Sequence, residues 1–258
     1  MMKMNLKLSL CSLFFVAGTS FASAQTATLN PTGDAFVSSS NSTNNYGGAG
    51  ALAVSANGLP KGEFDSVLSF DLGSTKTSFD TLYGVGQWSI QSIKLTLNAA
   101  VPNNPIFNGN GSPSVNTAGQ FLIKSLQNGS FTEGTGMPSS PGVTGITSST
   151  LAGLLGGSDE TLGTFTFSGG TSGTQVYTLG LMPNFSGKVL SGSVINFELA
   201  PADSSVSYLF NSRNFVTPAS RPILTISVVP EPLGTLLLLP ALAFLLAVGW
   251  FRNRRAGS

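Results

Sequence analysis

Short runs of alternating apolar and polar residues, separated by Gly, Asn, Ser and Pro, fill the middle of the chain. In Ser92–Leu97 every second side chain is apolar, which is typical of a strand with one buried face. A helix is predicted only at Ser148–Leu155, after Thr and Ser residues that can cap it. The pattern therefore predicts an all-β fold, a single antiparallel sandwich. The predicted strands are Asp34–Val37, Leu52–Val54, Ser66–Phe70, Ser89–Leu97, Gly119–Leu126, Leu162–Phe167, Thr174–Leu179, Ser193–Leu199, Ser205–Phe210 and Pro222–Val228.

Residues 1–24 have the parts of a secretory signal peptide. Two lysines precede the apolar run Leu8–Ala17, and the small residues Ala22–Ala24 follow as a cleavage pattern. The alternative is a buried N-terminal helix. Cleavage would make Gln25 the first residue and would remove Cys11, the only cysteine, so the exported chain would hold no disulfide.

The C-terminal end reads as a membrane anchor. The segment 233–251 carries no charge, and at 1.5 Å per residue a helix of this length spans about 28 Å, close to the hydrocarbon thickness of a bilayer. Arg252, Arg254 and Arg255 follow at once and predict that this end faces the cytoplasm. The bulk of the chain is then outside. A buried core helix is the alternative.

Val229-Pro230-Glu231-Pro232 stands immediately before this helix. Both prolines lack an N–H, so we predict an extended, protease-accessible linker that ends the last strand at Val228; a plain proline hinge is the alternative. Pro-Glu-Pro, an apolar helix and a terminal arginine cluster, in this order, resemble the PEP-CTERM sorting signal of exported bacterial proteins. The resemblance implies an exosortase-type membrane transpeptidase that cuts near Pro-Glu-Pro. The Sec translocon and signal peptidase are the expected earlier partners.

The predicted organisation is thus a signal peptide (1–24), one domain (25–228) and a sorting tail (229–258). The domain's motifs, in chain order, are Asp34-Ala-Phe-Val37, Asn45-Tyr-Gly-Gly48, Leu52-Ala-Val54, Val67-Leu-Ser-Phe-Asp-Leu72, Ile90–Leu97, Phe131-Thr-Glu-Gly-Thr-Gly136, Gly142-Val-Thr144, Phe210-Asn-Ser-Arg213 and Arg221-Pro-Ile-Leu-Thr-Ile226. They resemble DNRLRE-type domains of secreted carbohydrate-active and surface proteins. The resemblance implies a jelly-roll β-sandwich related to carbohydrate-binding modules. Three positions depart from the family: Asp65 replaces a frequent Arg, and Phe131 and Gly145 replace tryptophans.

Charge and composition exclude several classes of protein. Lys and Arg number 12 against 11 Asp and Glu, so the chain has no basic excess for a nucleic-acid partner. The absence of histidine excludes Ser-His-Asp and Cys-His catalysis and imidazole zinc sites. A glycosidase would need two carboxyl groups about 5–9 Å apart; the alternative is solvated acids on turns, and we expect no enzyme. The candidate acids are Asp34, Glu63, Asp65, Asp71, Glu133, Asp159, Glu160, Glu198 and Asp203.

Four charged residues have two interpretations each. Asp34 and Asp71 lie at predicted strand edges and could hold a structural Ca²⁺ ion, or could cap turns by accepting backbone N–H bonds. Turn capping is the favoured interpretation, and we expect no other cofactor. Arg213 and Arg221 could lie on a ligand face, or could fix the last strands by pairing with acids and carbonyl groups.

The functional prediction is an exported structural or adhesive component of the cell surface or exopolysaccharide matrix. A carbohydrate-binding module is the alternative, and a carboxylate-based polysaccharide hydrolase or lyase is the second. Tyr83 and Trp88 flank a glycine-rich turn and could stack on a sugar or pack in the core. Joint exposure of these two with Tyr177 and Tyr208 would favour sugar binding, whereas burial would favour a scaffold.

Overall fold

A computed structural model describes residues 23–59, 62–100 and 117–231 of the 258-residue chain. Most of the predicted signal peptide, the predicted membrane helix 233–251 and Arg252, Arg254 and Arg255 lie outside the described residues. Within those three ranges, no helix is both long and apolar enough to cross a membrane.

The described chain forms two antiparallel sheets that enclose an apolar core, as in a β-sandwich. The smaller sheet has the order β1-β11-β5-β8, and the larger has the order β10-β3-β4-β9-β6-β7, with β2 paired to β4. The strands are β1 Gln25–Leu29, β2 Gly33–Ser38, β3 Ala51–Ser55, β4 Phe64–Phe70, β5 Trp88–Asn98, β6 Gly119–Leu126, β7 Glu160–Phe167, β8 Thr174–Leu179, β9 Ile195–Pro201, β10 Ser207–Asn211 and β11 Ile223–Pro230.

Alternation along the strands builds the core. In β5, Ile93, Leu95 and Leu97 are fully buried, whereas the intervening residues are more exposed. Aromatic rings fill the space between the sheets, for example Tyr208 stacked on Phe167 with ring centroids 3.9 Å apart. All ten predicted strands are present with ends within two residues of the prediction, while β1 was not predicted.

The prediction of a single helix was wrong. The described residues hold three α-helices: α1 Gly73–Tyr83, α2 Ser148–Leu151 and α3 Pro183–Ser191. The predicted helix Ser148–Leu155 begins correctly as α2 but stops after one turn. Helix α1 was not predicted, because Phe79 is its only buried residue and the helix therefore has no apolar stripe.

The prediction that the last strand ends at Val228 was also wrong. Strand β11 continues beside β5, with Val229 opposite Ser89 and Pro230 opposite Trp88. Its other neighbour, β1, pairs only as far as Val228. The missing N–H of Pro230 therefore breaks no ladder on that side. Glu231 is exposed, and its backbone N–H donates to the carbonyl of Gln87 at 2.9 Å.

Residues 127–159, here the covering segment, lie on the outer face of the larger sheet. Ile146 and Leu151 of this segment pack on Ala35, Val37 and Val67, which form a second, smaller apolar cluster. Helix α2 begins with a capping box in which the Thr147 and Thr150 side chains and backbones bond reciprocally. The covering segment thereby brings Phe131 and Glu133, of the motif Phe131–Gly136, beside β2.

Candidate functional site

Residues from four of the sequence motifs meet beside β2 in a polar group that we call the motif cluster: Asp34, Asn45, Glu133, Arg213 and Asn214. Arg213 Nη1 lies 2.6 Å from Glu133 Oε2, and Asn214 Nδ2 donates to Glu133 Oε1 at 2.8 Å. The backbone N–H of Arg213 donates to Asp34 Oδ2 at 2.7 Å. The cluster therefore ties the loop after β10 to β2 and to the covering segment.

Asn45 is the best satisfied side chain of the motif cluster. It is fully buried, and its Nδ2 donates to the carbonyls of Glu133 and Ile146, both at 2.7 Å. Its Oδ1 accepts from the N–H groups of Gly47 and Gly136, both at 3.1 Å. The side chain thus bridges two distant loops. Sequence reasoning did not single it out, although its position before Tyr-Gly-Gly was the available signal.

Glycines permit this close approach of loops. A Cβ atom on Gly136 would overlap the backbone of Asn45, and one on Gly47 would overlap the backbone of Glu133. Gly134 also has φ of +78°, a left-handed conformation that suits glycine. The glycines of the motifs Asn45–Gly48 and Phe131–Gly136 therefore allow the backbones of these two motifs to lie in contact.

Burial and like charge disfavour ionisation in the motif cluster. Burial of Asp34, followed by the nearby Glu133 charge, raises the pKa of Asp34 to about 8, against the bond from Arg213. Burial also raises the pKa of Glu133, although Arg213 and Asn214 act in the opposite direction. Burial therefore favours the protonated form of Asp34, while Arg213 and Asn214 hold the carboxyl group of Glu133.

The two candidate calcium ligands have different surroundings. Asp34 is fully buried in the motif cluster. Asp71 is exposed, and its Oδ1 accepts from the Gly73 N–H at 2.9 Å at the start of α1, which is a turn cap. Within the described ranges, no group of three or more acidic or other metal-ligating side chains could hold a metal ion.

A second acidic group lies on the outer face of the larger sheet. Glu198 lies opposite Lys124 on β6, and Lys124 Nζ is 3.0 Å from its Oε2. Burial, then the charges of Glu198 and Glu63, raise the pKa of Asp65 to about 7, while Lys124 lowers it. Asp65 thus adds a second acidic side chain beside Glu198.

Three of the other candidate acids hold backbone groups. Asp159 accepts from the N–H groups of Gln127 and Gly156. Glu160 accepts from Asn184 and Phe185 and so caps the N-terminus of α3. Asp203 accepts from Ser205 and Val206 and caps a turn. These acids have structural partners that account for their positions.

The aromatic candidates do not form an exposed surface. Trp88 is 4% exposed, and its indole N–H donates to Asp80 at 2.9 Å. Tyr177 and Tyr208 are buried, with Tyr177 edge-on to Phe121. Tyr83 is half-buried and donates to the Ser23 carbonyl at 2.9 Å. A stacking platform built from these four rings is therefore absent from the described chain.

Arg221 lies just before β11 and lines a cleft of about 450 Å³. Its Nε donates to the carbonyl of Phe215 at 2.9 Å. The lining also includes Asn30, Arg213 and Asn214. The cleft borders the motif cluster without containing its acids.

Comparison of the chain with protein-family models and with curated proteins found no match. The fold and the site define a β-sandwich of two antiparallel sheets, in which loops from both chain halves are joined by a partly buried polar cluster.

Proposed function

We propose that this protein is an exported bacterial component of the cell surface or exopolysaccharide matrix, delivered through a PEP-CTERM-like tail. The observation that carries the proposal is the order of Pro230-Glu231-Pro232, the apolar segment 233–251 and the terminal arginines, behind an N-terminal signal peptide. An exosortase-type membrane transpeptidase would cut near Glu231 and release the domain. The domain would be a jelly roll of the DNRLRE type.

The end of the folded domain supports this arrangement. Strand β11 reaches Pro230, and Glu231 is exposed directly after it. A protease would therefore meet the sorting motif at the edge of the sandwich without an intervening spacer. Cleavage at or after Glu231 would leave every described strand intact.

A role in binding and display is favoured over chemistry. Glu160 and Asp203 accept backbone N–H groups, and Glu198 pairs with Lys124. Among the aromatic candidates, Trp88, Tyr177 and Tyr208 are buried in the core. An acidic side chain lines none of three clefts of the described chain, among them the cleft at Arg213 and Arg221. A two-carboxylate hydrolase would need such a lining.

The test is the intact mass and the location of the native protein in its own cells. We expect a mass that begins at Gln25 and ends between Pro230 and Pro232, in the extracellular or matrix fraction. A full-length tail in the inner membrane would overturn the sorting proposal and leave a single-span anchored domain.

A variant pair sharpens this experiment. Glu231→Gln alters the motif at an exposed side chain, and the backbone bond of Glu231 to Gln87 is retained. Glu63→Gln is the matched control, because the Glu63 side chain makes no hydrogen bond in the described chain and lies far from the tail in sequence. We expect uncleaved protein to accumulate only in Glu231→Gln; equal processing of both variants would argue against recognition of the motif.

A further inference from the structure

We infer that the Arg221 cleft binds the carboxylate of an acidic saccharide, a uronic-acid unit of the matrix polymer. This inference rests on the proposed function, since it names the class of glycan that the displayed domain would hold. The cleft has a volume of about 450 Å³, within the range of about 300–1,000 Å³ typical of small-molecule sites.

The charge of the cleft is positive and uncompensated. Arg213 is paired with Glu133, but Arg221 makes no ion pair with any described residue. The described lining contains no acid. The cleft therefore offers one free guanidinium, which suits a ligand with a single carboxylate per unit better than a multiply charged phosphate.

Arg221 is held in place before any ligand arrives. Its Nε–H bonds to the Phe215 carbonyl, and its backbone N–H donates to the Pro218 carbonyl at 3.2 Å. The next residue, Pro222, is buried and fixes the chain direction. Because Nε is already used, the two Nη groups are left to form a bidentate pair with a carboxylate.

The remaining lining suits sugar hydroxyl groups. Asn30 is exposed, and its side chain makes no hydrogen bond in the described chain. Asn214 uses Nδ2 on Gly47 and Glu133, which leaves its Oδ1 as an acceptor. Pro218 is exposed and adds apolar ring surface for the C–H face of a sugar. A carboxylate with neighbouring hydroxyls matches this set of groups.

Calorimetric titration of the full-length protein in detergent tests the inference. The probes are a tetramer of β-1,4-linked glucuronic acid and the neutral glucose tetramer of the same linkage. We expect binding of the acidic tetramer only, weakened about tenfold or more by Arg221→Gln. Lys94→Gln, which removes an exposed cation on β5 outside the cleft, should leave binding unchanged.

Equal binding of the neutral tetramer, or unchanged affinity in Arg221→Gln, would overturn the inference. Displacement by inorganic phosphate at equal concentration would also overturn it, because the site would then be a simple anion site. If Arg221→Gln fails to fold, Asn30→Ala replaces it, since Asn30 holds no other described group; unchanged affinity in that variant would count against the site. A matrix-located protein that binds neither tetramer refutes the inference alone, whereas retention in the inner membrane refutes the proposed function.

Discussion

At the scale of single residues, Asn45 determines whether the loops of the motif cluster stay together. Replacing it with alanine leaves two carbonyl and two N–H groups without their described partner in a buried place. We expect Asn45→Ala to lower the free energy of unfolding by about 3 kcal/mol or more. Urea denaturation of the full-length protein measures this loss.

The neighbouring Asn44 supplies the control. Its side chain makes one long bond to the Tyr46 hydroxyl, at 3.4 Å. Asn44→Ala should therefore cost less than about 1 kcal/mol. Similar losses in the two variants would mean that the four bonds of Asn45 contribute little, and that the glycine contacts alone hold the loops.

At the scale of elements, the covering segment depends on its own small core. Leu151 is 2% exposed and packs in the cluster beneath α2. We expect Leu151→Ala to cost about 2–4 kcal/mol, because it removes buried apolar contacts and leaves a cavity. Faster amide hydrogen exchange should appear first around α2, since Leu151 is the buried apolar residue of that helix.

Leu155 is the matched control for this experiment. It lies in the same segment but is 38% exposed. Leu155→Ala should cost less than about 1 kcal/mol and leave exchange in the segment unchanged. If both leucines cost the same, the segment would not be anchored through the apolar cluster under α2.

The elements also explain what could be predicted from sequence. Strands such as β5 alternate apolar and polar residues because one face is buried, and this alternation is visible in the chain. Strand β1 exposes Gln25, Thr26 and Thr28, so its pattern carries little signal. Helix α3 was missed, although Pro183 at its start, Phe185 and Val189 one turn apart, and Gly192 after its end are helix signals.

The motif cluster could not be predicted from the sequence without knowledge of the fold. Arg213 lies 179 residues from Asp34 and 80 from Glu133, and no local pattern states that these three meet. All three residues belong to sequence motifs, but the calcium hypothesis placed Asp34 together with Asp71 as possible ligands of one ion. The hydrogen-bond partner of Asp34 is instead the backbone N–H of Arg213. The acid near Asp34 is Glu133, which comes from a segment that was not predicted to cover the sheet.

At the scale of the whole molecule, two acids should make stability depend on pH, the buried Asp34 and the half-buried Asp65. The folded-state pKa of Asp34 is about 8 and that of Asp65 about 7, both raised from 3.8, mainly by burial. Below pH 3.8 these acids are protonated in both states and carry no penalty. Above it the unfolded chain loses protons that the folded chain keeps, so the free energy of unfolding falls until about pH 8.

Two other acids, Asp80 and Asp203, should make the fold less stable at low pH. Hydrogen bonds from Lys76 and Trp88 lower the pKa of Asp80. The pKa of Asp203 is also lowered, because the bonds from Ser205, Gln120 and Val206 outweigh its desolvation. A lowered pKa stabilises the fold above 3.8, and that stability is lost as the pH falls through the folded value. The most stable range should therefore lie in mildly acidic solution.

Thermal denaturation of the full-length protein from pH 4 to 9 checks this expectation. We expect Tm to fall between about pH 5 and pH 8, and Asp65→Asn to flatten the fall by removing one of the two acids. Asp71→Asn is the control, because this exposed side chain keeps an oxygen that can accept from Gly73. A Tm that rises with pH over this range would mean that neither Asp34 nor Asp65 retains its proton in the folded sandwich. An unchanged slope in Asp65→Asn would assign the effect to Asp34 and its neighbour Glu133.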